Sequence, residues 1–172
     1  MARIIITHLL LLVFVAASAQ KPLSADDILK EASQVAAKQN KNVFIIFHAS
    51  WCGWCHRMDS LMTNEYCKKF FDDNYVIRHL VVFESDGKKA LENPGALELL
   101  QKYKGEKQGI PFWLIYDPKG NLLADSQSSP GVNTGCPATR EEVDYFLKVL
   151  QKTSPLKKDQ LAVIEKNFLK VD

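Results

Sequence analysis

A pair of cysteines separated by two residues stands between a predicted buried strand and a predicted helix. The segment Val43–Phe47 is an uninterrupted apolar run, which is typical of a strand covered on both faces. Cys52 and Cys55 follow it, and later apolar residues recur at helical spacing from Met58 to Phe70. The first N–H groups of a helix lack partners and carry partial positive charge, which favours a thiolate over a thiol. The position therefore suits a redox-active dithiol.

The two cysteines are predicted to have different roles. Cys52 stands at the helix start, where the N–H donors and the helix dipole act most strongly, so we expect it to be the nucleophile. Cys55 lies one helical turn further along, from which its sulfur can attack a mixed disulfide intramolecularly. A purely structural disulfide is the alternative, but such close neighbours close too small a loop to constrain much of the unfolded chain.

The stretch around these cysteines resembles the thioredoxin superfamily, and within it the small secreted thioredoxin-like proteins of bacteria. Trp51 before the first cysteine is similar to the family's Trp-Cys-x-x-Cys motif. Gly109-Ile110-Pro111, followed by the apolar run 112–116, is similar to the family's cis-proline loop and the strand after it. The resemblance covers roughly residues 42–150. It implies a thioredoxin-like α/β fold, with a central mixed β-sheet flanked by helices on both faces.

The remaining pattern alternates strands with helices, which also predicts an α/β fold. Helices are predicted over residues 24–40, 52–71, 94–103, 139–154 and 157–169, the last being an extra C-terminal helix. Strands are predicted over residues 43–48, 75–83, 112–116 and 121–124. Residues 125–138 are polar and contain several Gly and Pro residues, which predicts a loop.

The resemblance implies roles for residues around the dithiol. Trp51 would flank the reactive sulfur, although it could equally be a core aromatic. Gly53 and Trp54 would face the client and set the redox balance through local packing. The backbone of Ile110, before a cis Pro111, would pair with an extended client segment, as in β-augmentation. Because Trp54 stands where typical thioredoxins carry proline, the direction of electron flow stays open.

A second departure from the family concerns proton transfer. Ile46 stands where thioredoxins carry a buried acid that takes the proton of the resolving cysteine. Asp59 and Glu84 are possible replacements, but each is expected to be a solvated surface carboxylate. His48 could lie beneath the site and His56 could stabilise a thiolate, and no catalytic role is assigned to either.

Two further cysteines complete the four in the chain. An even number of cysteines in an exported protein permits a second disulfide, between Cys67 and Cys136. Cys67 could instead be a buried apolar thiol, while Cys136 falls in a predicted polar loop. The sequence leaves this pairing open.

The N-terminal sequence predicts export. Arg3, an apolar run to Val15 and the small residues Ala17-Ser18-Ala19 are typical of a cleaved signal peptide. We therefore predict a signal peptide at residues 1–19 and a single domain at residues 20–172. The apolar run is shorter than the ~20 residues that a spanning helix needs, so no stable membrane anchor is expected after cleavage. The expected location is the periplasm or the cell exterior, where disulfides persist.

Charge and resemblance together limit the expected partners. The 172 residues carry a net charge of only +2, which gives no case for binding nucleic acid or a membrane surface. The resemblance implies exported protein clients with cysteines, a membrane redox partner, and no cofactor besides the Cys52–Cys55 disulfide. The expected activity is thiol–disulfide exchange. A reductase is favoured by the Trp-Cys start and by Gly53, with a disulfide oxidase or isomerase as the alternative.

Other classes of protein share parts of this pattern. Cys52-Gly53-Trp54-Cys55-His56 also matches the c-type haem attachment pattern, with His56 as one axial ligand. Met58 and Met62 could supply the other ligand, but both lie on the same predicted helix as His56. A zinc site lacks a second Cys/His pair at finger-like spacing, so no metal site is predicted. A redox-inactive module that holds clients is the last alternative, and the intact dithiol argues against it.

Overall fold

The computed structural model describes residues 21–169, so the predicted signal peptide lies outside the described residues. The helices are α1 Ala25–Gln39, α2 Gly53–Thr63, α3 Lys68–Asn74, α4 Ala96–Lys102, α5 Arg140–Thr153 and α6 Lys158–Phe168, with a 3₁₀ helix at Asp86–Leu91. The strands are β1 Asn42–His48, β2 Tyr75–Val81, β3 Phe112–Tyr116, β4 Leu122–Asp125, β5 Gln127–Ser129 and β6 Val132–Asn133.

A four-stranded mixed sheet with the order β2-β1-β3-β4 forms the centre of the fold. β1 runs parallel to β2 and antiparallel to β3, and β4 is antiparallel to β3. All five residues from Val43 to Phe47 are 0% exposed, which explains why the strand is apolar throughout. β5 and β6 form a separate small hairpin. The predicted α/β architecture with a central mixed sheet is confirmed.

Helices cover both faces of the sheet because successive side chains of β1 point to opposite sides. One face packs against α2, α3, α5 and α6; its largest buried residues are Phe44, Ile46, Met58, Met62, Phe71, Trp113, Phe146 and Phe168. The other face packs against α1 and α4; it buries Val43, Ile45, Phe47, Ala32, Leu100 and Leu114. The predicted C-terminal helix is present as α6, and its Ile164 and Phe168 belong to the first core.

The single helix predicted over residues 52–71 is wrong, because the chain forms two helices there. α2 ends at Thr63, and the side-chain oxygen of Asn64 accepts the N–H groups of Tyr66 (3.0 Å) and Cys67 (2.9 Å). An asparagine that bonds to nearby backbone in this way competes with continued helix. The apolar spacing runs on across the break because both helices pack against the same core.

Two other boundaries differ from the sequence prediction. β2 ends at Val81 rather than residue 83, and Phe83 adopts a left-handed backbone with φ of 56°, which is incompatible with a strand. The predicted loop 125–138 contains the short hairpin of β5 and β6. β1 and β3 pair from Phe47 with Phe112, so the chain after β1 and the chain before β3 meet at one end of the sheet.

Candidate active site

The structure joins Cys52 and Cys55 in a disulfide at the start of α2. Cys52 is the N-cap residue, and the backbone N–H of Cys55 donates to its sulfur at 3.1 Å. After reduction, the same donor would stabilise a thiolate on Cys52. Cys52 is 3% exposed and Cys55 is 1% exposed, so both residues are buried in the disulfide form. The site nevertheless has the arrangement that thiol–disulfide exchange requires.

The loop before β3 lies against the disulfide. The Ile110–Pro111 peptide bond is cis, and the Ile110 carbonyl oxygen is 3.6 Å from Cys52 Sγ. Ile110 also packs against Ala49 and both cysteines. The structure therefore brings together four of the predicted site residues, Cys52, Cys55, Ile110 and Pro111.

Asn133 holds this loop in place, a role that sequence reasoning missed. Its side-chain amide nitrogen lies 3.2 Å from the carbonyl oxygens of Gln108 and Gly109 and 3.1 Å from that of Pro111. Its side-chain oxygen accepts the N–H of Gly135 at 3.0 Å. The sequence carried no signal for this role, because Asn is common in polar loops and the contacts span more than 20 residues.

Two tryptophans next to the cysteines in the sequence lie at the surface. Trp51 is 59% exposed and Trp54 is 53% exposed, so the alternative that Trp51 is a core aromatic is wrong. The Trp51 indole N–H donates to the Phe83 carbonyl oxygen at 2.8 Å, which fixes the ring over the loop after β2. The Arg57 guanidinium lies 5.8 Å from the centre of the Trp54 ring. A side chain at Gly53 would meet no atom within 4 Å, so this position faces open space.

A groove of about 340 Å³ runs beside the disulfide. Its walls include Trp54, Ile110, Pro111, Cys136 and Glu142. The groove brings three of the predicted client-facing residues to one surface. It also places Cys136 there, a neighbour that sequence spacing could not reveal.

Cys67 and Cys136 are free thiols, and both are buried. Burial raises the pKa of each thiol to about 11, although Arg57 acts in the opposite direction on Cys136. The second disulfide that the cysteine count permitted is not formed in the structure. Both thiols are protonated at neutral pH, so neither Cys67 nor Cys136 is a reactive thiolate there.

Glu84 is a buried carboxylate that is hydrogen-bonded to Ser50, two residues before Cys52. The expectation that it is solvated is therefore wrong. The whole residue is only 3% exposed. Its two oxygens accept the N–H of Ser50 at 2.5 Å and the Ser50 hydroxyl at 2.8 Å. Lys88 Nζ lies 3.2 Å from the same hydroxyl. The carboxylate therefore ties the loop leading into α2 to the loop after β2.

The Glu84 contacts predict a pH-dependent stability. The Ser50 N–H lowers the pKa of Glu84 from its ordinary 4.5, with smaller lowering from the Ser50 hydroxyl, Lys88 and His48, while burial opposes them. Because the pKa is lower in the folded state, this stabilisation is present above pH 4.5 and is lost as pH falls through the folded-state pKa. We expect Glu84→Gln to lower the urea midpoint at pH 7, with the difference from wild type shrinking towards about pH 3. A constant difference across this range would contradict the account.

The other polar residues considered as proton acceptors or thiolate partners are Asp59, His48 and His56. Asp59 is hydrogen-bonded to His79 at 2.8 Å and is only 33% exposed, so it is not a freely solvated carboxylate. His48 lies beside the same His79 ring. His56 is exposed, and its ring nitrogen is 3.0 Å from the Ser50 carbonyl oxygen.

The structure also bears on the haem alternative. Met58 and Met62, the suggested second axial ligands, are 0% and 2% exposed and pack in the core with Phe44. Neither thioether is therefore available to a ligand at the surface beside His56.

Between residues 21 and 169, no helix combines the length and apolar character needed to cross a bilayer.

Several solved structures are similar to this chain. A disulphide isomerase from Xylella fastidiosa Temecula1 shows 20% identity over 63% of this chain and 80% of its own, with a TM-score of 0.48. A thioredoxin from Thermus thermophilus shows 16% identity over 78% of this chain and 87% of its own, with a TM-score of 0.46. The oxidised C-terminal domain of Neisseria meningitidis DsbD shows 18% identity over 77% of this chain and 98% of its own, with a TM-score of 0.44.

No curated protein sequence matches the chain. A family model described as thioredoxin-like matches residues 25–118, which is more than half of the 172 residues. The match contains α1, the central strands β1 and β2, the dithiol, the cis-proline loop and β3. The predicted superfamily and its fold are confirmed, and the chain belongs to the thioredoxin-like family.

Proposed function

We propose that this protein is a thiol–disulfide reductase that donates electrons to exported proteins. The observation that carries the proposal is the position of Cys52 Sγ. It receives the Cys55 N–H at 3.1 Å and lies 3.6 Å from the Ile110 carbonyl oxygen. A sulfur placed at a helix start, next to a second cysteine and a loop that can hold a client, suits a two-step exchange reaction.

The reaction begins with the reduced dithiol. The Cys52 thiolate attacks one sulfur of a client disulfide, which forms a mixed disulfide and releases the other client sulfur as a thiolate. Cys55 then loses its proton and attacks Cys52 Sγ. This step forms the Cys52–Cys55 disulfide and releases the second client sulfur, so two electrons pass from the protein to the client. The structure holds the pair as a disulfide, which is the form that this sequence would produce.

The client is proposed to bind on the surface that carries Trp51 and Trp54. An extended client segment would pair with the backbone at Ile110 and Pro111, while its side chains enter the groove beside Trp54. The exposed tryptophan rings supply apolar contact area at a small cost in conformational entropy. Gly53 leaves space above the helix start, so a client disulfide can approach Cys52 from that side.

The proposal includes a location and a source of electrons. The predicted signal peptide at residues 1–19 supports export to the periplasm or the cell exterior, where client disulfides persist. A reductase in that compartment needs an electron donor, and a membrane redox partner is proposed for this role. No cofactor besides the Cys52–Cys55 disulfide is needed for the two steps, and the net charge of +2 offers no support for nucleic acid as a partner.

The activity is tested by reduction of insulin with dithiothreitol as the electron source. The mature protein is expected to accelerate precipitation of the insulin B chain well above the rate with dithiothreitol alone. Reactivation of scrambled ribonuclease is measured in parallel, because an isomerase accelerates that reaction without net electron transfer. No acceleration of insulin reduction by folded protein would refute a reductase, and strong reactivation of ribonuclease alone would identify an isomerase.

A further inference from the structure

Two histidines and one carboxylate form a cluster between the sheet and α2 that the two exchange steps leave unused. His79 Nε2 lies 2.8 Å from Asp59 Oδ1, and the ring of His79 lies 4.7 Å from the ring of His48. The side chains of His79 and Asp59 are 34% and 33% exposed, so both are mostly shielded from water. We call His48, His79 and Asp59 the histidine cluster.

The strand and helix geometry places this cluster next to Cys55. Alternate residues of β1 face the same side, so His48 shares the face on which Phe44 and Ile46 pack against α2. His48 is the last residue of β1, at the end of the sheet where α2 begins. On α2 itself, Asp59 follows Cys55 by four residues and therefore lies on the same side of the helix, about 5–6 Å away between Cβ atoms.

The cluster also stands beside the position from which the family's buried acid is missing. Ile46 is paired with His79 across the parallel register of β1 and β2, so both side chains project to the same face. The His79 imidazole on the neighbouring strand thus lies beside the position at which the family carries its buried acid. Ile46 is 0% exposed and has no group that takes up a proton.

His48 has an unused capacity for a proton. Within residues 21–169, its buried Nδ1 atom has no hydrogen-bond partner. Buried polar atoms without partners are uncommon in folded proteins and ask for a specific explanation. Burial lowers the pKa of His48, and the nearby His79 lowers it further, which favours the neutral ring. A neutral imidazole is the form that accepts a proton.

We propose that His48, supported by His79 and Asp59, accepts the proton of Cys55 when that cysteine resolves the mixed disulfide. The Cys55 S–H bond breaks, and its proton passes to the His48 imidazole, directly or through a water. The Cys55 sulfur forms its bond to Cys52 Sγ as the bond from Cys52 to the client sulfur breaks. The departing client thiolate takes up a proton, and His48 returns to its neutral form. This inference rests on the roles proposed above for Cys52 and Cys55.

The charged groups around His48 fit this role. Asp59 and Glu84 favour the protonated ring, whereas His79 and His56 oppose it. Asp59 is hydrogen-bonded to His79, and its negative charge also acts on His48, where it favours the protonated ring. His48 can therefore take up a proton briefly during the reaction, with Asp59 stabilising the charged ring.

The test separates the two exchange steps by stopped-flow mixing of the reduced mature protein with excess 5,5′-dithiobis(2-nitrobenzoate). Attack by Cys52 releases the first thionitrobenzoate in a phase that depends on reagent concentration. Attack by Cys55 releases the second in a phase that does not. We expect His48→Phe to slow the second phase at least about tenfold at pH 6–7, because general-base assistance is removed. The pH at which the rate of this phase rises should also move to a higher value. The first phase should change little.

Two matched variants complete the design. Asp59→Asn retains both rings and should slow the second phase in the same direction by a smaller factor. Ser60→Ala removes an exposed hydroxyl of the same helix and should leave both phases as in wild type. Second phases in His48→Phe and Asp59→Asn that match wild type in rate and pH profile would overturn the proton-acceptor role. Insulin turnover reports separately on the reductase activity, so that result would not affect the proposed function.

Discussion

Replacing Cys55 with serine is expected to trap client proteins on Cys52 and to slow turnover by at least about 10³-fold. The sulfur of Cys52 can still attack a client disulfide, because its N–H donor at Cys55 belongs to the backbone and stays in place. The mixed disulfide then lacks its internal attacking thiol and must wait for an external one. Well-oriented intramolecular attack is worth effective molarities on the order of 10⁵ M or more, so external thiol at millimolar concentration is a poor substitute.

The companion variant Cys52→Ser should lose turnover and trap nothing. Trapping is measured by non-reducing electrophoresis and mass spectrometry of complexes formed with insulin and with an extract of exported proteins. Cys67→Ala serves as the control, because Cys67 is a buried free thiol outside the site and its variant should keep turnover and trap no client. Trapping by Cys52→Ser but not by Cys55→Ser would mean that the nucleophile and the resolving cysteine are reversed.

Replacing Phe146 with alanine is expected to lower the free energy of unfolding by about 3–5 kcal/mol. Phe146 on α5 is 0% exposed and lies at the centre of the larger core. Its ring is 5.2 Å from that of Phe168, 5.6 Å from Trp113 and 6.3 Å from Phe71. The substitution leaves a cavity that the sheet on one side and the helices on the other fill only in part.

Urea unfolding followed by far-ultraviolet circular dichroism measures this loss. Tyr66→Ala is the matched control, since that aromatic ring is 58% exposed and its removal should cost no more than about 0.5 kcal/mol. A loss of less than about 1 kcal/mol for Phe146→Ala would mean that α5 and α6 do not share the core as described.

The features that could be predicted from the sequence are those that depend on residues close together in the chain. The apolar run of β1 shows that the strand is covered on both faces, because an edge or half-exposed strand would alternate. Ser24 could be recognised as a helix cap, and its hydroxyl accepts the Asp27 N–H at 3.1 Å. The dithiol could be placed at a helix start because the strand, the cysteines and the helical spacing follow one another directly.

The features that could not be predicted depend on residues far apart in the chain. Glu84 is buried because it finds Ser50, 34 residues earlier, and nothing near Glu84 in the sequence indicates this partner. The break after α2 follows from the Asn64 side chain, which accepts a backbone N–H and so competes with continued helix. The apolar spacing continues across this position and gives no sign of the break. In the sequence His79 is one residue of a predicted apolar strand, and its link to Asp59 appears only once β2 and α2 are packed together.

The most direct test of the proposed reductase is the reduction potential of the Cys52–Cys55 pair, measured by equilibrating the mature protein with thiol–disulfide buffers of known potential. The account predicts a value near the roughly −270 mV of thioredoxin, at which the reduced pair readily donates electrons. A value near the roughly −120 to −180 mV of strong oxidants and isomerases would contradict it, and the protein would then form or rearrange disulfides instead.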